Sequence, residues 1–156
     1  MTEWDIFETE HWRVSHRRDA RYSGYLMVSS VASATDFMDL SDMALASLGG
    51  VLRETEQLLF RGYDPWKVIV YKLGLSAGFN LHFHVAPVTQ ALLAQVASHP
   101  DYADEPDGND AIVFLSRVYC ERPLNEQERE AQYKTVMILR ELLATSAVGN
   151  KTPGVR

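Results

Sequence analysis

Two histidines alternate with apolar residues in the segment Asn80-Leu81-His82-Phe83-His84-Val85. Successive side chains on a β-strand point to opposite faces, so the apolar residues of this segment share one face and the polar residues share the other. His82 and His84 lie two residues apart, which separates their Cα atoms by about 6.5 Å on a strand. The pattern predicts an apolar face packed on a core and a polar face whose two imidazoles reach one phosphate-sized ligand.

Three interpretations of this pair remain open from the residues alone. A His-x-His pair can supply two metal ligands, but residues 85–98 contain no His, Cys, Asp or Glu, so a third ligand has to come from elsewhere, such as His11 or His16. A neutral imidazole can instead attack phosphorus near pH 7, while a neighbouring donor stabilises the phosphoryl oxygens. The plainest interpretation is an edge strand that carries two ordinary surface histidines.

The segment Gly74-Leu75-Ser76-Ala77-Gly78 matches the G-x-S-x-G pattern of serine hydrolases. In those enzymes the serine opens a helix, and an acid and then a histidine follow it along the chain. Here a predicted strand follows, and no Asp or Glu lies between Ser76 and the last histidine, His99. The segment is therefore interpreted as a glycine-rich turn between two strands.

Hydrophobic periodicity assigns the surrounding elements. Strands are predicted over 7–14, 25–28, 66–73 and 79–86, the last closed by Pro87, and helices over 39–62, 110–120 and 125–145, with a strand as the alternative at 110–120. Too few helices lie between the strands for a parallel sheet, so we predict an antiparallel α+β fold.

Helix ends are predicted from capping residues. Asp39 or Ser41 can begin the first helix and Gly62 can end it, while Asp110 can begin the second. Asn125 and Glu128 have the spacing of a capping box at the start of the third. The predicted core stripe of the first helix consists of Leu45, Leu48, Leu52 and Leu59.

Composition limits the function classes. The chain has 156 residues and a formal net charge of −6, which disfavours a binder of nucleic acid polymers. Its single cysteine excludes an internal disulfide and favours a reducing compartment, so we expect a cytoplasmic protein. No apolar run approaches the ~20 residues that span a bilayer, so no membrane partner is expected.

The segment 80–86 resembles the His-φ-His-φ-His-φ-φ signature of the histidine triad (HIT) superfamily, where φ is apolar, with Asn80 in place of the first histidine. The order of elements over the first ninety residues is also similar: a strand pair with a Gly-Tyr-Leu-Met-Val entry, a long helix, a strand, a glycine-rich loop and the histidine strand. We therefore divide the chain into a HIT-like core at 1–90, a helical extension of the same domain at 91–148 and a tail at 149–156.

The resemblance implies a compact α+β subunit with a five-stranded antiparallel sheet, usually a homodimer. It also implies hydrolysis or transfer at the α-phosphate of a nucleotide conjugate, such as a dinucleoside polyphosphate or a nucleoside phosphoramidate. By position, His82 matches the nucleophile that forms a nucleotidyl-histidine intermediate, and His84 matches a donor to the phosphate. Asn80 can still form hydrogen bonds but cannot carry a proton. That mechanism requires no metal and no cofactor.

The remaining site predictions also rest on the resemblance. Lys72 falls near an asparagine that meets phosphate or ribose in related proteins, and Arg17 near a ribose-binding Asp or Asn. Ser76 is the nearest counterpart of the serine that assists the leaving group, and Tyr25 stands where a histidine is common. Because of the changes at Asn80 and Tyr25, the alternative is a catalytically degenerate protein that only binds nucleotides.

Overall fold

A computed structural model describes residues 1–102 and 105–149 of the chain. In this part of the chain, five strands form one antiparallel sheet that packs with four helices, which confirms the predicted α+β class. The strands are β1 (Asp5–Glu8), β2 (Trp12–His16), β3 (Leu26–Ser30), β4 (Lys67–Tyr71) and β5 (His82–Val88). The helices are α1 (Asp42–Tyr63), α2 (Gln90–Ser98), α3 (Gly108–Tyr119) and α4 (Glu126–Gly149).

The histidine strand β5 lies inside the sheet, whose order is β1-β2-β3-β5-β4. His82 pairs with Ser29 of β3, and His84 pairs with Met27 of β3 and with Tyr71 of β4. The interpretation of β5 as an edge strand is therefore wrong, because β4 occupies that edge.

Each face of the sheet has its own hydrophobic core. Helices α1 and α4 cover the first face, where Trp12 is fully buried and donates from Nε1 to the carbonyl of Ala44 over 3.0 Å. Residues of α2 and α3 pack on part of the second face, around Tyr25, Ala86 and Val88. The division into a core at 1–90 and an extension stays an interpretation, since α4 contributes to the first core together with α1.

The first predicted strand, 7–14, is wrong as a single element. It contains the end of β1, a tight turn and the start of β2, which together form a hairpin. The Thr9 hydroxyl accepts from the Trp12 N–H over 3.1 Å and holds that turn. The alternating β-formers of this segment fit either one long strand or two short ones, and a non-glycine turn gave no signal of the break.

Pro87 does not close β5, as was predicted, but pairs with Val68 inside it. The Pro87 carbonyl accepts from the Tyr22 hydroxyl over 2.6 Å, on the side of the strand where the pairing of β3 has already ended. The missing N–H therefore removes no ladder hydrogen bond, which is the condition under which a sheet tolerates proline.

The helix predictions need several corrections at their ends. Ser41 begins α1 by accepting from the Ala44 N–H, whereas Asp39 belongs to a single 3-10 turn, Phe37–Asp39. The helix continues through Gly62 and ends at Tyr63, where the C-cap residue Asp64 adopts a left-handed φ of 43°. Leu45 is exposed, and the buried positions of α1 are Ala44, Val51, Thr55, Leu58 and Leu59.

The C-terminal helices were predicted in part. Helix α2 was missed, although Thr89 caps it by accepting from the Leu92 N–H. Helix α3 is a helix and not a strand, but Asp107 caps it rather than Asp110. At α4 the predicted capping box is confirmed, because Asn125 and Glu128 exchange backbone-to-side-chain bonds of 2.9 Å. The predicted tail lies outside the described residues from 150 onward.

His16 at the end of β2 is buried, with 1% of its surface exposed. Its Nδ1 lies 2.9 Å from the Arg17 carbonyl, and its Nε2 accepts from the Gly24 N–H over 3.2 Å. Position 24 must be glycine, since its φ is +80° and a Cβ there would lie 2.6 Å from the Tyr63 ring. Burial is the main cause that lowers the pKa of His16 to about 4.

We expect the lowered pKa of His16 to make the fold less stable in mild acid. The unfolded chain takes up this proton near pH 6.5 and the folded chain near pH 4, so stability falls as pH drops through that window. For this group the loss between pH 7 and pH 5 is on the order of 2 kcal/mol. Urea unfolding at both pH values measures it.

The matched variants are His16→Gln and His11→Gln, the latter on the β1–β2 turn outside the core. Between pH 7 and pH 5, the free energy of unfolding of His16→Gln should fall by less than that of the wild type, and the shortfall should equal the contribution of His16 given above. In His11→Gln, the free energy of unfolding should fall by as much as in the wild type. An unchanged difference in His16→Gln contradicts the assignment.

Candidate active site

Strand β5 presents His82 and His84 on the second face of the sheet, as alternation predicts. Their ring centroids lie 5.2 Å apart at an interplanar angle of 64°. Phe83 and Val85 point the other way into the core under α1 and α4. The two imidazoles are therefore placed side by side by the strand itself, because both residues belong to β5.

The ring of His82 is half-buried and held in one tautomer by the backbone. Its Nδ1 lies 2.8 Å from the carbonyl oxygen of Asn80. A carbonyl can only accept, so Nδ1 must carry the hydrogen and the Nε2 lone pair is left available. Phe79 packs edge-on to the same ring at 6.2 Å. His82 therefore has the form of an imidazole that can act as a nucleophile.

His84 is buried deeper, with 7% of its surface exposed. Its Nδ1 lies 2.9 Å from the Tyr25 hydroxyl, and the Tyr71 ring stacks on it at 4.7 Å with an interplanar angle of 2°. Burial, followed by the charges of Arg17 and His82, lowers the pKa of His84 to about 4. The ring is consequently neutral at pH 7.

Beneath His84 lies a layer of polar side chains centred on Tyr25. The Arg17 guanidinium donates to the Tyr25 hydroxyl over 2.9 Å and to the carboxylate of Asp19 over 2.7 Å. Burial is the largest single influence on the pKa of Arg17 and lowers it, but the hydrogen bond to Asp19 and the nearby Tyr25, Cys120 and Asp19 together outweigh burial, so the pKa is raised. Arg17, predicted to bind substrate, thus lies under His84 and is engaged with protein groups.

The segment that carries Arg17 is fixed from a distant part of the chain. The Gln132 side chain of α4, 6% exposed, donates from Nε2 to the carbonyl of Arg17 over 2.9 Å and lies 3.2 Å from those of Arg18 and Ala20. Its Oε1 accepts from Trp4 Nε1 over 3.0 Å. One side chain therefore joins α4, the N-terminal segment and the loop after β2.

The other predicted site residues lie in or next to the β4–β5 loop. Asn80 is exposed, and its Nδ2 donates to the Ser30 carbonyl over 3.1 Å. Lys72 Nζ lies 3.8 Å from the Asp36 carboxylate and 6.0 Å from the centre of the Phe37 ring. The Phe37 ring in turn packs at 5.8 Å on Phe83, whose side chain faces the core under α1 and α4. The structure therefore brings together Asn80 and the two histidines but directs Lys72 toward the opposite face.

Ser76 is exposed in the turn that precedes Gly78. Tyr71 is the participant that sequence reasoning missed. The sequence alone does not indicate that Tyr71 contacts His84, because their pairing depends on the register between β4 and β5. The loop carrying Arg17 likewise gave no sign that its guanidinium turns inward toward Asp19.

A cleft of about 480 Å³ opens elsewhere, at Trp4, Arg18, Asp19, Cys120 and Arg129. The Arg18 guanidinium lies 4.4 Å from the Trp4 ring centre. Neither His82 nor His84 lines this cleft. Asp19 lines it and also accepts from Arg17 in the polar layer under His84.

The metal site that the residues alone left open has no matching cluster in the described part of the chain. No three His, Cys, Asp or Glu side chains cluster closely enough there to hold a metal ion. Both ring nitrogens of His16, one of the suggested third ligands, are already bonded within the core. Among the same residues, no helix combines the length and apolarity that a membrane span needs.

Comparison with known proteins identifies similar folds and no similar sequence. No protein-family model matches the chain, and no curated protein matches it. A hypothetical histidine triad nucleotide-binding protein of Sulfolobus tokodaii superposes with a TM-score of 0.63 at 15% identity, over 97% of this chain and 91% of that one. Plasmodium falciparum diadenosine triphosphate hydrolase gives 0.62 at 6% identity, over 93% and 79%.

The NitFhit protein of Caenorhabditis elegans gives a TM-score of 0.60 at 14% identity. The match covers 90% of this chain but only 27% of NitFhit, so this chain spans about a quarter of that protein. At such low identities the similarity concerns the fold, and this chain has the α+β fold found in histidine triad proteins.

Proposed function

We propose that this protein is a HIT-like hydrolase or transferase that acts at the α-phosphate of a nucleotide conjugate, with His82 as the nucleophile. The observation that carries the proposal is the bond between His82 Nδ1 and the Asn80 carbonyl, which leaves the Nε2 lone pair free on an accessible ring. His84 lies beside it as a neutral imidazole that can donate to a phosphoryl oxygen. Dinucleoside polyphosphates and nucleoside phosphoramidates are the substrate classes that this chemistry fits.

In the first step, the Nε2 lone pair forms a bond to the α-phosphorus while the bond from phosphorus to the leaving group breaks. The leaving group departs with that electron pair. The nucleotidyl imidazolium that results keeps its Nδ1–H on the Asn80 carbonyl, which offsets part of the positive charge. His84 donates to a phosphoryl oxygen as negative charge accumulates there.

In the second step, water or another acceptor attacks the phosphorus, and the bond between phosphorus and Nε2 breaks. The electron pair returns to His82, and the attacking group releases its proton to the departed leaving group or to solvent. Asn80 takes no proton in either step, since its side-chain amide does not titrate. Its contribution is positional, through the backbone carbonyl and the side-chain bond to Ser30.

A non-catalytic nucleotide-binding role is the second candidate. Asn80 favours it, because the amide replaces a titratable ring and is bonded to the Ser30 carbonyl. This candidate predicts nucleotide affinity without turnover and without a covalent adduct on His82.

The His82→Ala variant tests the proposed chemistry. Removing the nucleophile should reduce turnover of a dinucleoside triphosphate or a nucleoside phosphoramidate by at least about 1000-fold. Mass spectrometry of wild-type protein quenched during turnover should find a nucleotidyl group on the peptide that contains His82.

His11→Ala is the matched control, since it removes an imidazole from the β1–β2 turn and should leave turnover unchanged. Full activity of His82→Ala contradicts the proposal. Nucleotide binding by the wild type with neither turnover nor adduct favours the second candidate instead.

We also propose that the protein is a cytoplasmic homodimer, with β4 as part of the contact. Strand β4 is a sheet edge, and an edge strand offers unpaired backbone groups to another chain. Exposed apolar side chains lie along it or next to it, at Trp66 (62%), Val70 (44%) and Leu73 (61%). Such a concentration of apolar surface on an unpaired strand fits a second copy of the chain.

Sedimentation measurements should therefore find that the wild type is a dimer. The Val70→Lys substitution should raise the dissociation constant of this dimer by at least about tenfold. Ile138→Lys is the control, because Ile138 is a similarly exposed apolar residue on α4 (56%). A wild type that sediments as a monomer, or an equal effect of both substitutions, contradicts the placement of the contact.

A further inference from the structure

The fully buried hydroxyl of Tyr25 has three polar neighbours. The Arg17 guanidinium and His84 Nδ1 each lie 2.9 Å from it, and the Tyr71 hydroxyl is in close contact with it. A phenol has one hydrogen and two lone pairs, so it can satisfy three partners only if it donates once and accepts twice. Arg17 can only donate, which leaves one donated and one accepted bond for Tyr71 and His84.

Only one assignment uses every hydrogen. If Tyr71 donates to Tyr25 and Tyr25 donates to His84 Nδ1, both hydroxyl hydrogens are bonded. If instead His84 donates from Nδ1, Tyr25 must donate to Tyr71, and the hydrogen of Tyr71 has no acceptor among the contacts of the described residues. An imidazole nitrogen is also a stronger acceptor than a phenol oxygen, and the Arg17 charge makes Tyr25 a better donor.

We infer that Tyr25, ordered by Arg17 and Tyr71, is a positioning residue that fixes His84 in the tautomer with hydrogen on Nε2. Among the described residues, Nε2 of His84 contacts no protein donor or acceptor, and no buried polar side-chain atom lacks a partner. Nε2 therefore reaches the surface, and its hydrogen is the one that His84 can offer to a ligand.

This inference rests on the proposed function for its catalytic meaning. The donor from His84 Nε2 is the group that would meet a phosphoryl oxygen beside His82, while Tyr25 itself touches no substrate. A donor whose hydrogen is already in place requires no reorientation when charge develops on the phosphate. The tautomer itself is a property of the free protein and can be measured without any substrate.

Nitrogen-15 NMR of the histidine rings in the full chain tests the inference. At pH 7, His84, assigned by the loss of its signals in His84→Gln, should show a protonated Nε2 and an unprotonated, accepting Nδ1. In Tyr25→Phe, which retains the aromatic ring, His84 should become a mixture of both tautomers. Provided that the wild type turns over, the variant should also lose about 10- to 100-fold in kcat with a smaller change in KM.

Tyr22→Phe is the matched control, because Tyr22 packs against the same core but donates to the Pro87 carbonyl. It should leave the His84 spectrum unchanged. A wild-type His84 protonated on Nδ1 overturns the inference even if Tyr25→Phe does not fold, and so does an unaltered tautomer in a folded Tyr25→Phe. An inactive wild type with the expected spectrum counts against the proposed function and leaves the positioning role of Tyr25 intact.

Discussion

The burial of β5 on both sides within the sheet is the constraint on which the candidate site depends. Hydrogen bonding to β3 and β4 fixes its register, so His82 and His84 meet the same neighbours in every molecule. One face of the strand is anchored by the core under α1 and α4, and the other is half covered by α2 and α3. The two rings differ in chemistry because His82 is half-buried, whereas His84 is buried against Tyr25 and Tyr71.

The difference between the two histidines comes from their surroundings. His82 meets a backbone carbonyl, a partner that no side-chain substitution removes. His84 meets Tyr25, Tyr71 and, through Tyr25, Arg17, so its properties depend on three side chains from different elements. A strand with period-two alternation thus supplies a pair of rings, and the packing around each ring determines its role.

Local patterns predicted much of the fold but not the partners of the site residues. The alternation at 80–85, the long helix α1 and the capping box at Asn125 are short-range features, and each has a physical cause within a few residues. The turn at Thr9 was missed because it contains neither glycine nor proline. Helix α2 was missed although it consists mostly of Gln, Ala and Leu, which favour helices. The inward position of Arg17 depends on the conformation of its loop, and the stacking of Tyr71 on His84 depends on the register between β4 and β5. No local period encodes either of them.

Gln132 gives the C-terminal helix a part in a site that lies far from it in sequence. Its amide holds the carbonyls at Arg17, Arg18 and Ala20, and Arg17 in turn orients the hydroxyl that meets His84. Helix α4 thus supports the face of the sheet that carries the two histidines and is not a detachable appendage. A chain that ended before α4 would keep every residue of the histidine motif. It would still lose the Gln132 hydrogen bonds that hold the loop of Arg17 beneath His84.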